Sequence, residues 1–234
     1  ATMVRMAQVH RATNDIDSAV LDPEATAIAL AEATGGRSER HRVYLGDSGI
    51  KVDFLDASVP VDEALAFDVG DDPEAERHRA RAILMRVVID TAEDVPIVVT
   101  DPSGAAIAET SVRVAQPGLL LVAKALSALD PQRHVDKRGT DVADLVLLSE
   151  SRPVAELAGQ IGALPGWSID FHVADIDRLV RDEVRQSLSW LRQSNRIDHA
   201  DFDAARLGAV ADVVEGLRAE VDELSSEDPP GSGG

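Results

Sequence analysis

Residues 15 to 36 constrain the fold more than any other stretch. Asp15 to Val20 is a short strand-like run with Ile16 between two aspartates. Asp22, Pro23 and Glu24 then open a helix with an N-cap acid, a proline at the first helical position and an acid in the first turn. Ala-rich sequence carries that helix to Thr34, where Gly35 and Gly36 end it. A strand feeding directly into a helix sets the expectation of a mixed α/β domain.

The following chain fits that expectation. Arg42 to Leu45 and Gly49 to Ala57 read as strands joined by a hairpin signal at Gly46 to Gly49. In the second, Val52 and Phe54 alternate with Lys51 and Asp53, so Asp53 belongs to the polar face. Pro73 to about Asp90 reads as helix, and Pro96 to Thr100 and Ala106 to Val114 as strands about the turn Asp101 to Gly104. Gln116, Pro117 and Gly118 open a helix from Leu119 to Leu129. After Pro153 come a short helix, a turn at Leu164 to Trp167 and two long amphipathic helices. The first carries Ile176, Leu179, Val180, Val184, Leu188 and Leu191, and the second Val210, Val214, Leu217, Val221 and Leu224. Trp167 and Trp190 are expected to pack. The expected fold is therefore α/β (α+β): a small mixed β-sheet flanked by helices over residues 1–150, with a helical C-terminal portion over 151–224. Residues 225–234 are rich in Ser, Asp, Pro and Gly and read as a disordered tail. Ala1 to Val9 reads as the end of a helix.

Composition narrows the chemistry. The 42 acids against 23 Lys and Arg give a net charge of −19, which argues against broad electrostatic capture of a polyanion. Cysteine is absent, which excludes disulfides and thiolate metal sites. No apolar run reaches the roughly 18 residues of a membrane span and no signal peptide is visible, so the expected location is cytoplasmic, without a membrane partner. Ala1 is not an initiator methionine, and the chain is expected to begin part-way through a longer reading frame.

The candidate site starts from Asp15 and Asp17. On a strand, residues i and i+2 face one side. Two such carboxylates suit Mg²⁺, a hard cation usually held by one or two carboxylates together with substrate phosphates. Acid–hydrophobic–acid also occurs at Asp175 to Asp177, Asp201 to Asp203 and Glu220 to Asp222, all in helical patterns where i and i+2 do not share a face. Lys124 is the only charge in its apolar helix. It either serves an anion or snorkels at the helix surface. Asp141 and Asp144 lie one helical turn apart, as site acids or as partners of Lys137 and Arg138. The densest basic cluster is Arg133, His134, Lys137 and Arg138, either a nucleic-acid contact or a solvated loop.

In order and spacing, these segments resemble the nucleotidyltransferase-fold toxins of the AbiEii type, a branch of the DNA polymerase β-like superfamily. The matching text is Arg11 to Asp17, Lys51 to Leu55, Pro117 to Leu126 with Lys124, and Lys137 to Leu145, within about residues 1–150. The resemblance implies transfer of a nucleoside monophosphate from an NTP to a tRNA or other RNA end, a protein acceptor being secondary. It further implies Mg²⁺ (or Mn²⁺) bound by Asp15, Asp17 and Asp53, with Asp53 also orienting the acceptor hydroxyl. Lys124 and Asp144 would join the catalytic set, Arg11, Thr13 and Lys124 would contact the NTP, and an antitoxin protein would be the partner. The chain departs from the superfamily in one respect: only ten residues precede Arg11, and none is the glycine of the usual phosphate-approaching turn. That departure favours the other expectation, a catalytically silent nucleotidyltransferase-like module that binds a protein.

Overall fold

The computed structural model describes residues 15–46, 50–100, 103–194 and 202–226. The expected helix end at Ala1 to Val9, the hairpin tip at 47–49, the turn residues Asp101 and Pro102, and residues 227–234 of the expected tail lie outside them, as do Arg11 and Thr13; Ser225 and Ser226 of that tail end a helix instead. The chain is a mix of helices and small sheets, as the sequence leads one to expect. It divides into two compact units, Ala1–Ala64 with Met85–Gln116, and Leu65–Leu84 with Pro117–Gly234. The expected boundary at residue 150 falls inside the second.

In the first unit, β1 (Asp15–Val20) leads into α1 (Pro23–Thr34), then β2 (Arg37–Glu39), β3 (Arg42–Tyr44) and β4 (Lys51–Asp56). The strand order is β1-β4-β3-β2. β1 runs parallel to β4, and the remaining pairs are antiparallel. Parallel neighbours need a long crossover, and α1 is part of it. Its ends follow the sequence signals. The Asp22 carboxylate accepts from the Ala25 N–H at 2.9 Å, and Gly35 closes the helix in the left-handed region at φ 63. Ala27 and Ala31, one turn apart, pack on Val43, Val52 and Phe54, so one face of the sheet is dry. Small side chains there bring the helix close. β2 gives no periodic signal because all three of its residues are exposed. It exists through its pairing with β3.

A helix α2 (Val61–Leu65) precedes α3 (Pro73–Asp90), which supplies its residues to Leu84 to the second unit and the rest to the first. An antiparallel ribbon of β5 (Glu93–Thr100) and β6 (Ala106–Val114) completes the first unit. Arg113 Nη2 ties it to α3 and the following turn through the carbonyls of Ile89 and Ala92, at 2.9 and 3.1 Å.

The second unit is helical. α4 (Pro117–Ala128) packs on α5 (Val135–Ser149), α6 (Val154–Ile161) and α7 (Gly166–Asp177). Nearly every side of α4 is apolar and buried, as its sequence requires. The first long amphipathic helix of the sequence reading is interrupted. α7 passes into a π-helical turn at Arg178–Asp182, and Glu183 leaves helical geometry at φ −108, ψ 26 before α8 (Val184–Gln193). The Ser187 hydroxyl donates to the Leu179 carbonyl at 2.8 Å across the break. Leu179 and Val180 are both buried, so the apolar spacing survives where the helix does not. The second long helix, α9 (Ala204–Ser226), is continuous.

Gly139 marks where α5 and α8 touch backbone to side. A Cβ there would collide with the Trp190 carbonyl oxygen and lie 2.7 Å from Ser194 Cβ. Gly139→Ala should therefore cost about 1–3 kcal/mol by overpacking. Gly208→Ala, on an open face of α9, should gain up to about 1 kcal/mol from helix propensity. Urea unfolding of both variants against wild type measures the contrast; equal midpoints would remove the close approach.

Candidate functional site

The parallel register sets Asp17 opposite Asp53 and Asp15 opposite Lys51. β3 continues both rows, with Arg42 opposite Asp53 and Tyr44 opposite Lys51. β2 ends them with Glu39 opposite Arg42 and Arg37 opposite Tyr44. Cross-strand partners share a face, so charged and polar residues line the side of the sheet away from Ala27 and Ala31. Asp17 is exposed and Asp53 half-buried. The Asp15 side chain lies outside the described residues.

Asp53 is not a bare carboxylate. Arg42 grips it with two hydrogen bonds, Nε to Oδ1 and Nη2 to Oδ2, the second at 3.0 Å. Lys51 Nζ lies 3.6 Å from Oδ2. At the far edge the Tyr44 hydroxyl donates to Glu39 at 3.1 Å, and the Arg37 guanidinium sits 4.7 Å from the Tyr44 ring centre. Among the described residues, no three His, Asp or Glu side chains are grouped to hold a metal ion. The expected set includes Asp15.

Lys124, Asp141 and Asp144 assemble in the second unit, through the packing of α4 on α5. Lys124 Nζ lies 2.8 Å from Asp144 Oδ2 and 3.3 Å from Asp141 Oδ1. The expectation of a lone charge is therefore corrected, because an apolar helix keeps a lysine by pairing it. Burial acts against the ammonium, but the Asp144 and Asp141 charges outweigh it and hold the pKa above its usual range. Asp141 is only 1% exposed and accepts a bidentate pair from Arg133, Nε at 2.7 Å and Nη2 at 3.1 Å. Its partners are thus Arg133 and Lys124 rather than the expected Lys137 and Arg138. Arg138 donates to the carbonyls of Arg133 and Asp130 and lies over Trp190, while His134 caps α5. The basic cluster is thus partly a structural loop.

A second polar group escaped the sequence reading. Ser168, His172 and Asp175 follow one another at four and three residues along α7, all buried. Arg77 of α3 reaches Asp175 at 3.3 Å. His172 is 0% exposed, and among the described residues neither ring nitrogen finds a hydrogen-bond partner of good geometry. Burial pushes its pKa down to about 4, against the Ala80 backbone and with the Arg77 charge. Burial also raises the Asp175 carboxyl, opposed by Arg77 and Arg178. The signal available in sequence was the four-and-three spacing alone, which apolar stripes share.

No protein-family model matches this chain, and neither a curated protein nor a solved structure matches it significantly. The site's chemistry rests on its own geometry.

Two outcomes follow for the second unit. Asp141→Ala removes the acid that Arg133 and Lys124 share and should cost about 2 kcal/mol, the scale of hydrogen bonds to a charged group, against less for Asp144→Ala at its more exposed end; denaturant titration separates them. His172 binds its proton more weakly when folded than the ordinary value of 6.5. The stability tied to its neutrality is full above about pH 6.5 and falls by about 3 kcal/mol as pH drops to about 4. Asp175, with its raised pKa, acts in the opposite sense, so the variant His172→Leu is the reference. Between pH 6.5 and 4 the variant should lose less stability than wild type, and parallel curves would overturn the assignment.

Proposed function

We propose that the chain is a Mg²⁺- or Mn²⁺-dependent nucleotidyltransferase, moving a nucleoside monophosphate from an NTP to a tRNA or other RNA end. Its role as the toxin of a toxin–antitoxin pair rests on the family resemblance alone. The observation that carries the activity is the parallel register that sets Asp17 beside Asp53, with Asp15 two residues earlier on the same strand. Adjacent strands lie about 4.8 Å apart, so acids in this register supply the hard oxygen donors that Mg²⁺ takes. The donor set fits. A bound Mg²⁺ would shield the phosphate charge and stabilise entering and leaving oxygens.

The chain's own residues divide the remaining work. Asp15 and Asp17 would hold the cation, Asp17 from an exposed position. Asp53 would accept a hydrogen bond from the acceptor hydroxyl and orient it. Lys124 and Asp144 stand in the other unit with Asp141, and the reading draws on the first unit alone.

The bidentate grip of Arg42 on Asp53 favours a second reading, a catalytically silent module, because an acid already neutralised needs no metal. Labelled transfer decides between them. With α-labelled NTPs, Mg²⁺ and a tRNA pool, wild type should label RNA. Asp15→Asn and Asp17→Asn should fall below about one hundredth of that rate, since even outer-shell partners of a metal cost 10–100-fold. Mg²⁺ should raise the melting temperature of wild type but not of Asp17→Asn. Asp175→Asn should keep both responses. No label and no Mg²⁺-dependent stabilisation would leave the silent module.

A further inference from the structure

The polar face of the four-stranded sheet holds two cations against one carboxylate. Arg42 reaches Asp53 from the neighbouring strand and Lys51 from two residues earlier on the same strand. All three side chains keep contact with water, at 41%, 26% and 23% exposure for Arg42, Lys51 and Asp53. We infer that Arg42 and Lys51 form an exchangeable latch on Asp53, and that the triphosphate of an incoming nucleotide is the anion for which they leave it. This rests on the nucleotidyl-transfer reading and adds the residues that receive phosphate.

Three physical points support the exchange. The first is geometric: a guanidinium fork matches phosphate oxygens as well as it matches a carboxylate, and an ammonium serves as a mobile point charge beside it. The second is solvation. All three side chains keep contact with water, so solvent offsets part of the cost of parting them and a polyanion with several charges can compete for the cations. Register supplies the third. Arg42, Lys51 and Asp53 share the face that carries Asp17, so a phosphate chain lying along it meets the cations and the acids together.

The consequence is an order of binding. While the latch is closed, Asp53 accepts from Arg42 with both oxygens and has little left for an acceptor hydroxyl. When phosphate draws Arg42 and Lys51 away, the lone pairs of Asp53 are open to the acceptor hydroxyl. The nucleotide therefore precedes the acceptor, and the acid is inactive in its absence.

Calorimetry with inorganic tripolyphosphate and with non-hydrolysable NTP analogues, each with EDTA or with Mg²⁺, tests the latch. Asp53→Asn removes the competing carboxylate charge, so it should bind tripolyphosphate without metal about tenfold more tightly than wild type, the scale of one charge-assisted hydrogen bond. Adding Arg42→Gln to that variant should erase the gain. Arg42→Gln alone should weaken Mg²⁺–nucleotide binding about tenfold, with Arg42→Lys restoring part of it. Should Arg42→Gln fail to fold, Lys51→Gln carries the same readout. A purely structural salt bridge produces no gain in Asp53→Asn, and that result overturns the latch even where transfer is observed. Tripolyphosphate binding that follows the latch, without any Mg²⁺-dependent transfer, keeps the anion site and removes the nucleotidyl-transfer reading instead.

Discussion

The first unit depends on the register of β1 against β4. Val52 and Phe54 of β4, with Val43 of β3, face Ala27 and Ala31 of α1, and this dry layer is what fixes the pairing. A slip of one residue would turn the carboxylate of Asp53 into that layer and put Val52 and Phe54 in water. Losing two such side chains from the core costs several kcal/mol, and burying an unpaired acid adds to it. Hydrophobic burial on one face thereby decides which residues are left on the other. Asp17 stands on the same side of the sheet as Asp53 because the apolar layer takes up the other side.

The two neutralised acids of this chain differ in what surrounds them. Asp53 and Asp141 each accept a bidentate arginine and sit near a lysine. Asp141 is closed off within the helical unit, so parting it from Arg133 and Lys124 would leave charge without water to solvate it. Asp53 stays wet, and solvent can take over from any cation that departs. One arrangement of three charged groups is thus a structural pin when buried and an exchangeable contact when open. In a chain with a net charge of −19, acids are abundant; cations brought to one carboxylate in pairs are the informative feature.

Much of the fold could be read from the chain because its signals were local. Asp22, Pro23 and Gly35 fixed both ends of α1, and alternation around Asp53 placed it on the polar face of β4. The missed parts depend on distant residues. β2 has no pattern of its own and forms on β3. The π-helical turn before α8 leaves the apolar spacing intact, and that spacing was the only sign of a helix there. At the candidate site, the pairing of Asp17 with Asp53 was foreseeable from two strands with polar faces. The grip of Arg42 was not, because Arg42 belongs to a third strand whose register no local pattern fixes. Lys124 stood out as unusual, and its acid partners lie on the next helix, which no local pattern announces.

The chain contains its own control for the paired acids. Asp15-Ile16-Asp17 and Asp175-Ile176-Asp177 are the same tripeptide in two periods. On α7 the second pair is divided by the helical turn. Asp175 is drawn to Arg77 of α3, while Asp177 meets Arg181 and Arg218 of α9. Ile176 is fully buried between them. Each acid is thereby given to a different neighbour, and the pair cannot act on one ligand. On β1 the backbone follows the strand period of two, and β4 sets Asp53 in register with Asp17. What separates the two tripeptides is therefore the backbone period, that of a strand for the first, before the helix start at Asp22 and Pro23, and that of a helix for the second, on α7.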